Sequence, residues 1–220
     1  MLDLLIIVMF GIFAFRNSTV RDDEFADVSR KVGDKIGRLW DIAHQGMREN
    51  RFLRAEKALL TILKIDEKNV AAYNRLGILY AKQKEFKDAI DCFEIASSIE
   101  ATPSSLHNLG LIYYETENYE KAGVAFEQAL KLEDNLAARH VAYAKVQEKL
   151  GNYKMMMQEL HKAVELEPNK ETYNLLLKAY VNQNMTKEAE KLKKKIDRLS
   201  NSKSAAKKPS RIIRPKRVVV

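Results

Sequence analysis

Catalysis and metal binding need particular residue types at particular spacings, and few such sets occur in this chain of 220 residues. The four histidines, His44, His107, His140 and His161, include no pair three or four apart, so no helix face presents two imidazoles to a metal ion. Cys92 is the single cysteine, which excludes an internal disulfide and any CxxC redox or zinc site. No Walker loop, GxGxxG, HExxH or GxSxG is present, and eight glycines are too sparse for a phosphate cradle. Met155, Met156 and Met157 could form an adaptable contact surface, but helical spacing sends the three side chains in different directions. One or two of them are expected to fill space between helices. Gly33 and Gly37 make a GxxxG outside any apolar run and carry no implication of close helix packing in a membrane. These patterns predict no enzyme, no cofactor and no metal site. The remaining chemistry belongs to cations and amides, which bind.

The cations are unevenly placed. Lys plus Arg minus Asp plus Glu is 38 − 30 = +8, and Lys203, Lys207, Lys208, Arg211, Arg214, Lys216 and Arg217 supply seven of those charges with no acid among them. The rest of the chain is therefore nearly neutral, and the basic balance describes a tail. That tail suits an anionic leaflet or nucleic acid, or acts only as a solubilising segment. No aromatic residue interleaves its cations for base stacking. Beyond Ser200 the composition has too few apolar residues to offset ordering entropy, so residues 201–220 are expected to be disordered.

With 46% apolar and 31% charged residues and only four prolines, the elements that position these groups are expected to be helices. The first is apolar. From Leu4 to Phe15 only Gly11 and Ala14 interrupt Leu, Ile, Val, Met and Phe. The nine Leu, Ile, Val and Phe residues favour bilayer insertion by about 3 to 5 kcal/mol. A helix over the apolar part is about 18 Å long, and one over residues 1–20 about 30 Å, so this is a short anchor. A cleaved leader fits poorly, because the early side-chain charge is Asp3 and no small-residue cleavage site follows. A helix packed against the rest of the chain, or against a second copy, is the other reading. Arg16, Arg21, Arg30 and Lys31 all follow the apolar block, which places the remainder of the chain in the cytoplasm if the block spans.

A repeat organises the rest. Asn74-Arg75-Leu76-Gly77-Ile78-Leu79-Tyr80 is echoed by Asn108-Leu109-Gly110-Leu111-Ile112-Tyr113, and Phe86, Ala89, Phe93, Ala96 by Tyr119, Ala122, Phe126, Ala129. Ala144, Gly151-Asn152-Tyr153, Leu160, Ala163 and Pro168 mark the next copy, and Tyr173, Leu176, Tyr180, Ala189 and Ile196 one more. Apolar residues three and four apart make two amphipathic helices per unit, with Lys-Glu-Phe, Glu-Asn-Tyr and Gly-Asn-Tyr at the turns. Gly77, Gly110, Ala144, Ala89 and Ala122 are small where helix axes approach, and the aromatic residues are expected to fill the wedge between neighbouring hairpins.

These residues resemble the tetratricopeptide repeat (TPR) family, with its helix-turn-helix unit of about 34 residues. The resemblance is specific from Val70 to Lys170, and it implies an all-α TPR solenoid, a superhelix of helix-turn-helix repeats. Residues 36–69 are read as a divergent first copy in which Gly46 replaces the usual bulky aromatic. Residues 70–102, 103–136 and 137–169 follow as copies two to four, and 170–200 as a fifth copy with a lysine-rich capping helix. Residues 21–35 are a linker or an amino-terminal cap.

The resemblance further implies that first helices line a concave groove. Here that face carries Asn74, Arg75, Ile78, Lys82, His107, Asn108, Leu111, Tyr114, Val141, Lys145, Lys149, Asn174 and Lys178. Asn74 and Asn108 suit hydrogen bonds to an extended peptide, and Arg75, Lys145 and Lys178 suit acidic groups. Ile78, Ala138 and Ala142 stand where family members that clamp chaperone tails need polar residues, so that ligand is not expected. The function so implied is a membrane-anchored adaptor or scaffold holding a protein or peptide partner. The alternative is a soluble nucleic-acid- or ribosome-associated factor acting through its tail, and a regulatory subunit of an enzyme is a third reading.

Overall fold

The computed structural model describes residues 28–206, with side chains to residue 198. Residues 1–20, read above as an anchor, and the cations from Lys207 onward lie outside the described residues. Within them the chain is α-helical with no strand. The helices are α1 over residues 28–48, α2 Phe52–Ile65, α3 Val70–Gln83, α4 Phe86–Ile99, α5 Pro103–Glu115, α6 Tyr119–Leu132, α7 Ala137–Lys149, α8 Tyr153–Leu166, α9 Lys170–Asn182 and α10 Thr186–Ala206. None of these described helices is long and apolar enough to cross a membrane.

Two expectations about the ends need correction. Residues 28–35 are not a separate cap but the opening turns of α1, because Val28, Val32, Ile36 and Leu39 keep one helical stripe with no proline to stop it. At the other end α10 runs to Ala206, so Lys203 lies on a helix and the backbone does not lose regular structure at Ser200. Ser204, Ala205 and Ala206 carry no strong breaker, and a helix already begun extends at low cost.

The chain divides into two compact units, one ending at Asn108 and the other beginning at Leu109. In the first unit α2 packs on α3 and α3 on α4. Its core joins Ala43 and Met47 of α1, Ala55, Leu59 and Ile62 of α2, and Ala72, Leu76 and Leu79 of α3. In the second unit α6 packs on α7, α7 on α8, α8 on α9 and α9 on α10. There Ala144, Met156, Leu160, Tyr173, Leu176, Tyr180, Ala189 and Leu192 form one cluster.

Turn chemistry explains why the helices pair. Asn50, Lys84, Glu117, Gly151 and Asn184, one in each interhelical turn of a hairpin, all have positive φ, between 56° and 75°. Their backbones reverse direction in the left-handed region, which only glycine enters freely and asparagine enters at small cost. Asparagines also open helices. Asn69 accepts from the Ala72 amide at 2.9 Å, and Asn169 accepts from Glu171 and Thr172 while Thr172 returns the contact in a capping box.

Small residues stand at the crossings. A Cβ placed on Gly77 would lie 2.7 Å from the Phe93 ring, and one on Gly110 would lie 2.9 Å from that of Phe126. Both rings are buried. They press on the first helix of their own hairpin, so these two aromatics do not fill a wedge between hairpins as the spacing suggested. Tyr80 does reach a neighbouring hairpin, its hydroxyl donating to Glu56 of α2 at 2.8 Å. Gly46 falls where Tyr80 and Tyr113 stand in later hairpins. Its missing side chain lets the backbone of Ala55 approach to within 3.0 Å of where a Cβ would be, so α1 and α2 cross more closely instead of being held apart by a ring.

Candidate functional site

Each unit presents part of the expected binding face. In the first, α3 and the start of α5 carry Asn74, Arg75, Ile78, Lys82, His107 and Asn108, of which Lys82 is exposed and the others half-buried. Asn74 is used internally. Its Nδ2 donates to Ser105 Oγ at 3.1 Å, Ser105 is fully buried and bonds in turn to Thr102, and Asn74 Oδ1 is buried with no hydrogen-bond partner. Asn74 therefore ties α3 to α5, and a peptide reaching it would first have to open that bond.

In the second unit Leu111, Lys145, Lys149, Asn174 and Lys178 are exposed, and Tyr114 and Val141 are half-buried. Tyr114 meets Tyr119 edge to face at 5.6 Å between centroids, and Lys149 Nζ sits 5.8 Å from the Tyr119 ring centre. Lys145 and Lys178 form no ion pair among the described residues. The face therefore combines exposed cations with an aromatic pair, which is chemistry for holding acidic and apolar side chains.

A polar network in the second unit has no counterpart in the repeat pattern. Arg139, nearly buried, donates to Glu133 Oε2 at 2.6 Å and to the Glu133 carbonyl at 3.1 Å. His140, 5% exposed, places Nδ1 2.6 Å from Glu159 Oε2 and Nε2 2.8 Å from the Asp134 carbonyl. Both ring nitrogens face acceptors, so the ring ties the α6–α7 loop to α8. The loop needs this because α7 begins at an N-cap, Leu136, whose side chain caps nothing. Arg139 and His140 stand in the opening turn of α7, and their spacing from Glu133 and Glu159 gave no signal that these groups meet. Two of the other histidines pack on aromatics: His44 on Trp40 at 5.5 Å, and His161 on Tyr180, whose hydroxyl lies 3.0 Å from His161 Nε2.

The remaining candidates are structural. Cys92 is half-buried, and burial first, then Asp88 and Asp91, push its thiol up to about 11. Burial and the neighbouring Glu56 carboxylate likewise raise Tyr80, and burial followed by Glu127 and Glu159 raises Tyr143. Met156 is core, Met157 is partly buried and Met155 is exposed, as helical spacing required. Among the described residues no group of three or more His, Cys, Asp or Glu could hold a metal ion. An apolar hollow of about 430 Å³ between α1 and α2 is lined by Leu39, Ile42, Leu53 and Ala58, with Arg54 and Lys57 at its edge.

Comparison with known proteins follows the same pattern. Tetratricopeptide repeat profiles match residues 70–100, 103–136 and 137–170. The chain carries tetratricopeptide repeats. Residues 171–200 match a PPR repeat profile, where the spacing suggests a fifth tetratricopeptide copy. Solved structures agree on the fold. A crystal structure of the MamA protein superposes with a TM-score of 0.69 at 21% identity, over 83% of this chain and 100% of that one. YrrB, described as a TPR protein with an unusual peptide-binding site, superposes at 0.60 with 18% identity, over 70% of this chain and 80% of that one. A curated relative, an N-terminal acetyltransferase A complex subunit-like protein of Schizosaccharomyces pombe, is 22% identical over 165 residues, 74% of this chain. This chain spans 24% of that protein's length. The fold class is all-α, a TPR solenoid.

Proposed function

We propose that this protein is a scaffold or adaptor that holds a protein partner on the first-helix face of its second unit, and that it works by binding without catalysis. The observation that carries the reading is the set of exposed cations Lys145 and Lys178, without an ion pair among the described residues, with Lys149 beside the Tyr114–Tyr119 pair. Cations on the surface of a folded helix cost little to keep solvated, and they gain when a partner carboxylate replaces water. The peptide-binding site of YrrB supports a peptide or extended segment as the occupant. The groove residues of the first unit, Arg75, Ile78, Lys82, His107 and Asn108, are proposed as a second contact, with Asn74 retained as an internal tie.

The experiment is affinity capture from cells with the full chain and with Lys145→Glu/Lys178→Glu. Helicity should be unchanged, and the captured partner should fall at least tenfold, the size expected for two reversed charges at a desolvated contact. Undiminished capture would move the site away from α7 and α9.

The apolar run from Leu4 to Phe15 supports a second element of this reading, attachment of the scaffold to a membrane through residues 1–20. Extraction of membranes at alkaline pH should leave the full chain in the pellet and release a chain lacking residues 1–20. Release of both would remove the membrane from the function.

A further inference from the structure

We infer that the outer face of α10 is a docking ridge for a single strand of nucleic acid, held by its phosphodiester backbone. On a wheel of about 100° per residue, Lys187, Lys191, Lys194 and Arg198 fall within roughly 60° of one another. Ala189, Leu192 and Ile196, which pack α10 into the second unit, fall on the opposite side. All four cations are exposed, and none forms an ion pair among the described residues. The ridge is about 16 Å long, with successive cations about 4.5 to 6 Å apart along the axis.

The shape of the charge selects the ligand. The ridge is one side chain wide and has acidic shoulders, with Glu188 on one side and Glu190 and Asp197 on the other. Lys195, which would widen it, lies 4.9 Å from the Tyr173 ring centre instead. A flat anionic leaflet meets ridge and shoulders together and is repelled by the shoulders. A single strand is itself a line of negative charge and can follow the ridge alone. Insertion into a membrane interface would also need an apolar face, and the apolar face of α10 is already used for packing. No aromatic residue stands on the ridge, so it reads backbone charge and carries no base preference.

The test uses the full chain and a fluorescein-labelled oligouridylate strand, with anisotropy followed over a salt series. The ridge variant is Lys187→Gln/Lys191→Gln/Lys194→Gln/Arg198→Gln. A second variant neutralises Lys207, Lys208, Arg211, Arg214, Lys216 and Arg217 to Gln and leaves the ridge intact. Each ridge cation should contribute about 0.7 to the slope of log K against log salt, so the ridge variant should lose nearly 3 from that slope. It should also weaken binding at low salt by at least tenfold. Because all four positions are exposed, circular dichroism should be unchanged, and single Lys191→Gln should lose a quarter of the effect. Failure of the unaltered chain to bind the strand would overturn the proposal. So would a ridge variant that binds as tightly as the unaltered chain while the tail variant does not bind. Loss of phosphatidylserine-vesicle binding with retained strand binding in the ridge variant would assign the ridge to lipid and overturn it equally.

Discussion

At residue scale, packing is decided where glycine meets a ring. The Phe93 and Phe126 rings occupy the space that a methyl group on Gly77 or Gly110 would need. Gly77→Ala should therefore lower stability by about 1 to 3 kcal/mol, the usual cost of overpacking a close-packed site, and Phe93→Leu should recover part of it in the double variant. Urea unfolding of the four chains measures this, and strictly additive losses would show that the two residues do not share the space. Cys92 offers a pH reading. Its folded thiol is raised from 9.0 to about 11, so the neutral form is favoured by the fold. The associated stability is fully present below pH 9 and is lost as pH rises through about 11. Iodoacetamide should accordingly modify Cys92 slowly at pH 8 compared with a free thiol, with the rate climbing toward pH 11. Rapid modification at pH 8 would contradict the burial of that thiol.

At element scale, the periodicity of apolar residues marked helices and turns because both follow from local rules. Gly77 and Gly110 spaced 33 apart, and Asn or Gly at the turns, were readable from one chain. The positive φ of Lys84 and Glu117 was not, because neither residue type favours it, and tertiary closure of the hairpin imposes it. Gly151→Ala should cost about 1 kcal/mol, whereas Lys84→Gly should be neutral or slightly stabilising, since it removes the Cβ penalty at φ 65°. Paired thermal melts decide it. The His140 network was equally hidden. Nothing in the spacing of His140 and Glu159 says that they meet at 2.6 Å, since that contact depends on how α7 crosses α8. Replacing Glu159 by Ala should leave a buried ring nitrogen without its partner and cost about 1 to 3 kcal/mol, more than the same change at exposed Glu148. Equal losses at the two sites would show that the contact does not hold the loop. The running of residues 28–35 straight into α1, where a linker or a separate cap was expected, and the extension of α10 to Ala206 share a cause: sequence gives no stop signal there, and composition alone is a poor guide to helix ends.

At the scale of the whole molecule, the repeat resemblance made the fold class legible but said little about which face binds. The surface positions expected to bind divide into residues the fold already uses and residues it leaves open. Asn74 belongs to the first kind and Lys145 and Lys178 to the second, a distinction visible only once neighbouring helices are in place. Charge is likewise partitioned, with α10 carrying a narrow ridge and the sequence beyond it adding further cations without acids. A scaffold built this way should discriminate its ligands by face: protein on the first helices of the second unit, and a polyanion on its last helix. The most direct test of the scaffold claim is photocrosslinking in intact cells from probes placed singly at Lys145, Lys178 and Val124, the last being an exposed residue of α6, a second helix. The account predicts one shared crosslinked protein from Lys145 and Lys178 and none of it from Val124. The same protein crosslinked from Val124, with none from Lys145 or Lys178, would contradict it.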